Sequence, residues 1–171
     1  MDGKTVNNSS VILRHIVQPQ DANLAGITHG GVVMKNIDDA AGVVAVKHSG
    51  CAVVTASIDR MDFHHPVYIG NLLTIKASIN MVGQTSMEIG VRVEAEDIVT
   101  GKSRHTASAY LTFVALDRNN KPTRIPPLIL VTKEEKRRNR EAGDRRKVRL
   151  AEKSKEKKCR RDPDDCQPIK A

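Results

Sequence analysis

The chain has 171 residues, of which 39% are hydrophobic and only 2% aromatic, and it carries a net charge of +8. That length suits one ordinary domain with an appendage, and aliphatic side chains must fill its core. No apolar run approaches the roughly 20 residues of a membrane-spanning helix and MDGKTVNNSS lacks the form of a secretory signal, so a cytoplasmic protein is expected.

Residues 1–10 read as a flexible lead. Val11 to Ile16 is a short strand, closed by the turn-like Gln18-Pro19-Gln20-Asp21. A small-residue loop follows, Asp21-Ala22-Asn23 through His29-Gly30-Gly31. Over residues 32–48 Val33, Ile37, Ala40, Ala41 and Val44 fall at three- and four-residue spacing, the period of a helix, and Ser49-Gly50 is its stop. Thereafter the period is two. Residues 52–62 are β-branched and apolar. Leu73, Ile75, Ala77, Ile79 and Met81 share one face of the next strand. Met87, Ile89, Val91, Val93 and Ala95 share one face of another, and His105, Ala107, Ala109, Leu111, Phe113 and Ala115 one face of the last. This alternation describes an antiparallel meander with one buried face. With one apolar helix to cover it, the economical architecture is an α+β fold, a curved sheet wrapped around a central helix.

Pro126-Pro127 closes the body, giving a domain over residues 11–131. Residues 132–161 hold 15 Lys and Arg against 6 Asp and Glu, whereas residues 1–131 hold 12 against 11. The basicity therefore belongs to an extension, read as a solvated, partly frayed basic helix, and it makes no case for specific nucleic-acid binding by the body. Residues 162–171 read as a disordered tail. Cys51, Cys159 and Cys166 lack zinc-ligand spacing and are expected to be reduced thiols. His64-His65 before Pro66 is not at helical metal-ligand spacing, so no metal is expected.

The segment of chemical interest is Asn23, His29-Gly30-Gly31 and Asp38. Paired glycines at a helix start allow close approach to free amides, and these, with the helix dipole, can hold a polarised carbonyl oxygen. Asp38 lies seven residues after Gly31, two turns along, beside Met34, Ala41 and Ala45 at the border of the apolar stripe. A carboxylate there is partly withdrawn from water, which suits a base or a nucleophile. Asn23 offers both a donor and an acceptor to orient a water or a carbonyl. His29 is read as structural or substrate-lining.

Taken together, DAN-x-x-G-x-x-HGG-x-x-x-K-x-x-DDAAG, VTASIDRMDFHHPVYIG, VGQTSMEI and SAYLTFVALD resemble the cytosolic long-chain acyl-CoA hydrolases. These are hot-dog thioesterases related to the bacterial YciA group and to the brain-type enzyme with two hot-dog domains. The resemblance covers about residues 11–128 and implies a hot-dog fold and hydrolysis of fatty acyl-CoA, with no cofactor beyond the coenzyme A of the substrate. It implies a site at a homodimer interface, with Asn23 of one subunit and Asp38 of the other in the catalytic roles, and assembly as a trimer of dimers. It also points to Thr85, Ser86 and Met87 as strand-edge backbone beside the pantetheine arm. Arg60, Lys102 and Arg104 are assigned to the CoA phosphates from their strand positions. Asp38 as general base and Asp38 as nucleophile, through an acyl-enzyme anhydride, both remain open. Two competing readings are an acyl-CoA hydratase, which pairs Asp with His on this segment, and a non-catalytic acyl-CoA sensor, whose helix-turn-helix has no room before Val11.

Overall fold

The computed structural model describes residues 1–161; the expected tail, 162–171, lies outside the described residues. In chain order the elements are β1 (Lys4–Thr5), α1 (Val6–Ser9), β2 (Val11–Ile16), a 3-10 turn (Pro19–Asp21), α2 (Gly30–Ser49), β3 (Ala52–Phe63), β4 (Leu72–Val82), β5 (Ser86–Glu96), β6 (Ser103–Leu116), β7 (Leu128–Ile129) and α3 (Lys133–Arg161). The five long strands form one antiparallel sheet in the order β2-β4-β5-β6-β3. Only β4-β5-β6 is a meander. Strand β3 skips β4 and pairs with β6, from Ala52 opposite Leu116 to Phe63 opposite Ala107. A period of two fixes which face a strand buries, not which strand lies beside it.

Helix α2 lies across the concave face as expected, an α+β hot-dog arrangement. Its buried row, Val33, Ile37, Ala40, Ala41, Val44, Ala45 and His48, packs on the inward residues of β4, β5 and β6. Alanines at 77, 95, 107, 109 and 115 on the sheet and at 40, 41 and 45 on the helix keep the layers close, with Phe113 as the buried aromatic between them. Gly50 ends α2 in the left-handed conformation (φ 73°), where a Cβ is disfavoured.

Two expectations are corrected at the chain ends. Residues 1–10 do not trail free: β1 pairs in parallel with β7, Val6 and Ser9 are buried, and Lys4 Nζ donates to the carbonyls of Lys47 and His48 at 2.9 Å. A lysine there satisfies carbonyls that the end of α2 leaves open. The basic helix α3 is likewise docked on the outer sheet face rather than solvated. Its contact row is Arg138, Ala142, Arg145 and Arg149, spaced four, three and four, which is one helical face. Arg138 donates to Ser78 Oγ at 3.2 Å, Asn139 Nδ2 to the Asn80 carbonyl at 2.8 Å, and Arg149 pairs with Asp59. Arg145 reaches Glu88 Oε1 at 2.6 Å and Oε2 at 3.2 Å, and its guanidinium lies 3.7 Å from the centre of the Tyr110 ring. Glu88 is thereby buried (1% exposed) and also accepts from Asn80 Nδ2 at 3.1 Å. Burial works against the Arg145 charge, but the hydrogen bond and charge of Glu88 outweigh it and raise its pKa.

Candidate active site

The loop after the 3-10 turn is built around Asn23. Its Oδ1 accepts from the amides of Ala25 (2.8 Å) and Ile27 (3.3 Å), and its own N–H donates to the Ile27 carbonyl at 2.7 Å. Gly26, at φ 73°, closes the turn. With Oδ1 committed to the backbone, the Nδ2 amine is the free end of Asn23. The loop is tied to the helix start, because His29 N–H donates to the Asp21 carbonyl at 2.8 Å. Asp21 in turn faces His15 at 3.2 Å, and the Gln18 amide in front of it holds its carboxyl below the usual range.

Asn23 and Gly30 line one open cleft of about 370 Å3, with Thr28, Phe63, His64 and His65 around them. Thr28 is 6% exposed, and its Oγ1 is buried without a partner. Arg104 belongs to the same end of the molecule: it lies 5.7 Å from the centre of the Tyr68 ring, and Tyr68 bridges to Ile27. Lys102, two residues earlier, is exposed at the β5–β6 turn.

Asp38 is elsewhere. It is half-buried on α2, and its Oδ1 accepts from Thr55 Oγ1 at 2.8 Å. Thr55 pairs with Phe113 and Val54 with Val114, which is also the partner of Ser86. Thr85 lies just before Ser86, its carbonyl accepting from the Ala115 amide at 2.9 Å. The site residues named from sequence thus fall into two groups. Asn23, His29, Gly30, Gly31, Lys102 and Arg104 stand toward the Phe63 end of β3, and Asp38, Thr85 and Ser86 toward its Thr55 end. Eight residues at about 3.3 Å each separate Thr55 from Phe63, or roughly 25 Å. Arg60 lies between them, paired with Asp62 at 2.7 Å. Strand β5 has neighbours on both sides, so Thr85 to Met87 is not an open edge, and the Met87 side chain sits in the core (1% exposed). Thr55, Thr28 and Phe63 were not singled out from sequence; a threonine on a β-branched strand carries no signal of the carboxylate it faces.

The Thioesterase superfamily profile matches residues 25–102. Protein VdlD of Helicobacter pylori is 39% identical over 145 residues, covering 85% of this chain and 83% of that protein. The chain belongs to the thioesterase superfamily. The cytosolic acyl coenzyme A thioester hydrolase of Rattus norvegicus is 39% identical over 143 residues, 82% of this chain; the chain spans 38% of that relative's length. An apo-hexameric acyl-CoA thioesterase superimposes with a TM-score of 0.85 at 37% identity, covering 89% of this chain and 97% of the other. The acyl-CoA hydrolase of Staphylococcus aureus, solved with butyryl coenzyme A and coenzyme A, does so at 0.84 and 36% identity, covering 91% and 94%. That hydrolase has also been solved with an asparagine, an aspartate and a threonine each changed to alanine, residues separated in its chain by 15 and then 17 positions.

Proposed function

We propose that the protein hydrolyses fatty acyl-CoA to fatty acid and CoA, at sites completed by pairing two copies through β3. The observation that carries this reading is the separation of Asn23 from Asp38 along β3. Strand β3 is an edge of the sheet, and Val54, Ile58 and Phe63 on it are each about half exposed. An unpaired edge is a template for another strand. Antiparallel pairing of two β3 strands about a two-fold axis near their middle sets the Phe63 end of one against the Thr55 end of the other. Asn23, Gly30 and Arg104 of one copy then meet Asp38, Thr55 and Thr85 of its partner, twice per dimer. Asn23, Asp38 and Thr55 are 15 and 17 positions apart, the separations of the three altered residues in the S. aureus hydrolase.

In this site the amide at the start of α2 polarises the thioester carbonyl. Asn23 Nδ2 holds the attacking water, and Asp38 accepts its proton as general base. Thr55, by donating to Oδ1, fixes the carboxylate and leaves Oδ2 for the water. Arg104 and Lys102 are offered to the CoA phosphates, and Thr85 and Ser86 to the pantetheine arm. Further assembly as a trimer of dimers and a cytoplasmic location complete the proposal. It is tested by thiol release from acyl-CoA of short, medium and long chain. Asp38→Asn is expected to lower kcat at least about 100-fold while CoA still binds; undiminished turnover would remove Asp38 from the chemistry.

A further inference from the structure

The leading amides of α2 are not equivalent. A helix begins with N–H groups that have no partner within it, and here one residue takes two of the first three. Gly31 N–H donates to His29 Nδ1 at 2.9 Å, and Val32 N–H donates to the His29 carbonyl at 2.9 Å. Gly30 N–H has no acceptor among the described residues. The two glycines answer different needs. A Cβ on Gly31 would stand 3.0 Å from His29 Nδ1 and 3.2 Å from Cε1, so the bare backbone admits the imidazole. A Cβ on Gly30 would meet only Phe63, at 3.7 Å, on the rim of the cleft.

Because Nδ1 accepts, the ring proton of His29 resides on Nε2. His29 holds the helix start from two sides, through this cap and through its own N–H to the Asp21 carbonyl at 2.8 Å, in the loop that carries Asn23. A second unsatisfied group belongs to the residue before His29: Thr28 Oγ1 is buried and has no partner among the described residues, and Thr28 lines the same cleft as Gly30.

We propose that His29 is a positioning residue, whose imidazole occupies Gly31 N–H and so assigns the oxyanion of the reaction to Gly30 N–H alone. The proposal rests on the thioesterase reading above. When water adds, its oxygen bonds to the carbonyl carbon, its proton passes to Asp38, and the carbonyl π pair moves onto oxygen, where Gly30 N–H stabilises it. When that pair returns, the C–S bond breaks and CoA leaves as the thiolate. Without the cap the first turn loosens, Gly31 N–H competes, and the oxyanion contact loses its fixed position.

The test has a kinetic and a spectroscopic arm. His29→Ala is expected to lower kcat about 10- to 100-fold, between the loss of a helix cap and the loss of an oxyanion donor, with KM within about twofold. His29→Asn, whose Oδ1 can cap the same amide, is expected to recover to within about threefold of the unaltered protein. An Ala variant with unchanged kcat, an Asn variant as slow as Ala, or a change confined to KM would each overturn the assignment. In the second arm, protein labelled with 15N at its 11 glycines is titrated with an unreactive acyl-CoA analogue carrying methylene in place of sulfur. The Gly30 signal alone should move in the unaltered protein, and both Gly30 and Gly31 in His29→Ala. Movement of both in the unaltered protein, or of neither, refutes the proposal even if thioesters are turned over. If Gly30 alone moves but no thioester is hydrolysed, the amide assignment stands as a binding contact and the thioesterase reading fails.

Discussion

Removing Arg145 is the sharpest test of how the basic extension is held. The Glu88 side chain is completely buried and Arg145 is 24% exposed, with the closest approach at 2.6 Å. Arg145→Ala leaves Glu88 with Asn80 as its one remaining partner under α3, and also removes a cation from the Tyr110 ring. Breaking a buried pair by deleting one partner costs about 3–5 kcal/mol, a large part of the roughly 5–15 kcal/mol that holds a domain folded. For a chain of this size the expected fall in Tm is roughly 6–20 °C. Replacing both partners by apolar residues of similar size, Glu88→Leu with Arg145→Met, should recover most of the loss, since neither charge then has to be desolvated. The assay is thermal and urea unfolding at fixed protein concentration, because association contributes to apparent stability. A cost below about 1 kcal/mol for Arg145→Ala, the range of exposed ion pairs, would refute the reasoning.

Other outcomes follow from the same structure. Co-expressed Asn23→Ala and Asp38→Ala chains, each inactive alone, should regain about a quarter of full activity, because half the dimers are mixed and each mixed dimer has one intact site; no recovery would argue for sites within single chains. Burial of His48 holds its pKa below the ordinary 6.5, with the Pro126 carbonyl raising it and Lys4 lowering it, and burial, chiefly, does the same to His105. Each takes up its proton at a lower pH in the fold than in the unfolded chain, so stability should fall as pH drops below about 6.5, and His48→Gln should flatten the slope; equal urea midpoints at pH 8 and pH 5 would contradict this. At Gly90 a Cβ would lie 2.7 Å from Asn80 Nδ2, so Gly90→Ala should cost about 1–3 kcal/mol by overpacking. Gly42→Ala, whose Cβ would sit 3.8 Å from Phe113, should instead stabilise the fold by up to about 1 kcal/mol, through helix propensity.

Much of the fold is legible because periodicity reports burial directly. The row Val33–Ile37–Ala40–Val44 and the alternating sets on β4, β5 and β6 are found in the core, except Met81 and His105, which lie at register shifts where the alternation breaks. Strand order was not legible: β3 reads like its neighbours, yet it crosses to the far side of β6, a long-range choice that no local pattern encodes. Helix α3 was missed as a packed element because its contact face is arginine, asparagine and one alanine, and a reading tuned to apolar stripes sees solvent there. The reverse error fell on Glu88, which alternates outward as a solvated residue should until α3 covers it. At the site, Asn23, the glycines and Asp38 stand out through their company in the chain. Thr55 and the capping role of His29 depend on which atoms meet in space.

The seam between α3 and the sheet has a further physical consequence. An element held by apolar packing leaves two greasy surfaces when it separates, and such surfaces aggregate. Here most of the seam, the arginines above and Ser78, Asn80, Glu88 and Asp59 below, consists of groups that water accepts readily, around the buried Ala142 and the Tyr110 ring. Separation would break ion pairs and expose little apolar surface beyond Ala142 and the Tyr110 ring, so an opened seam offers little for another chain to adhere to.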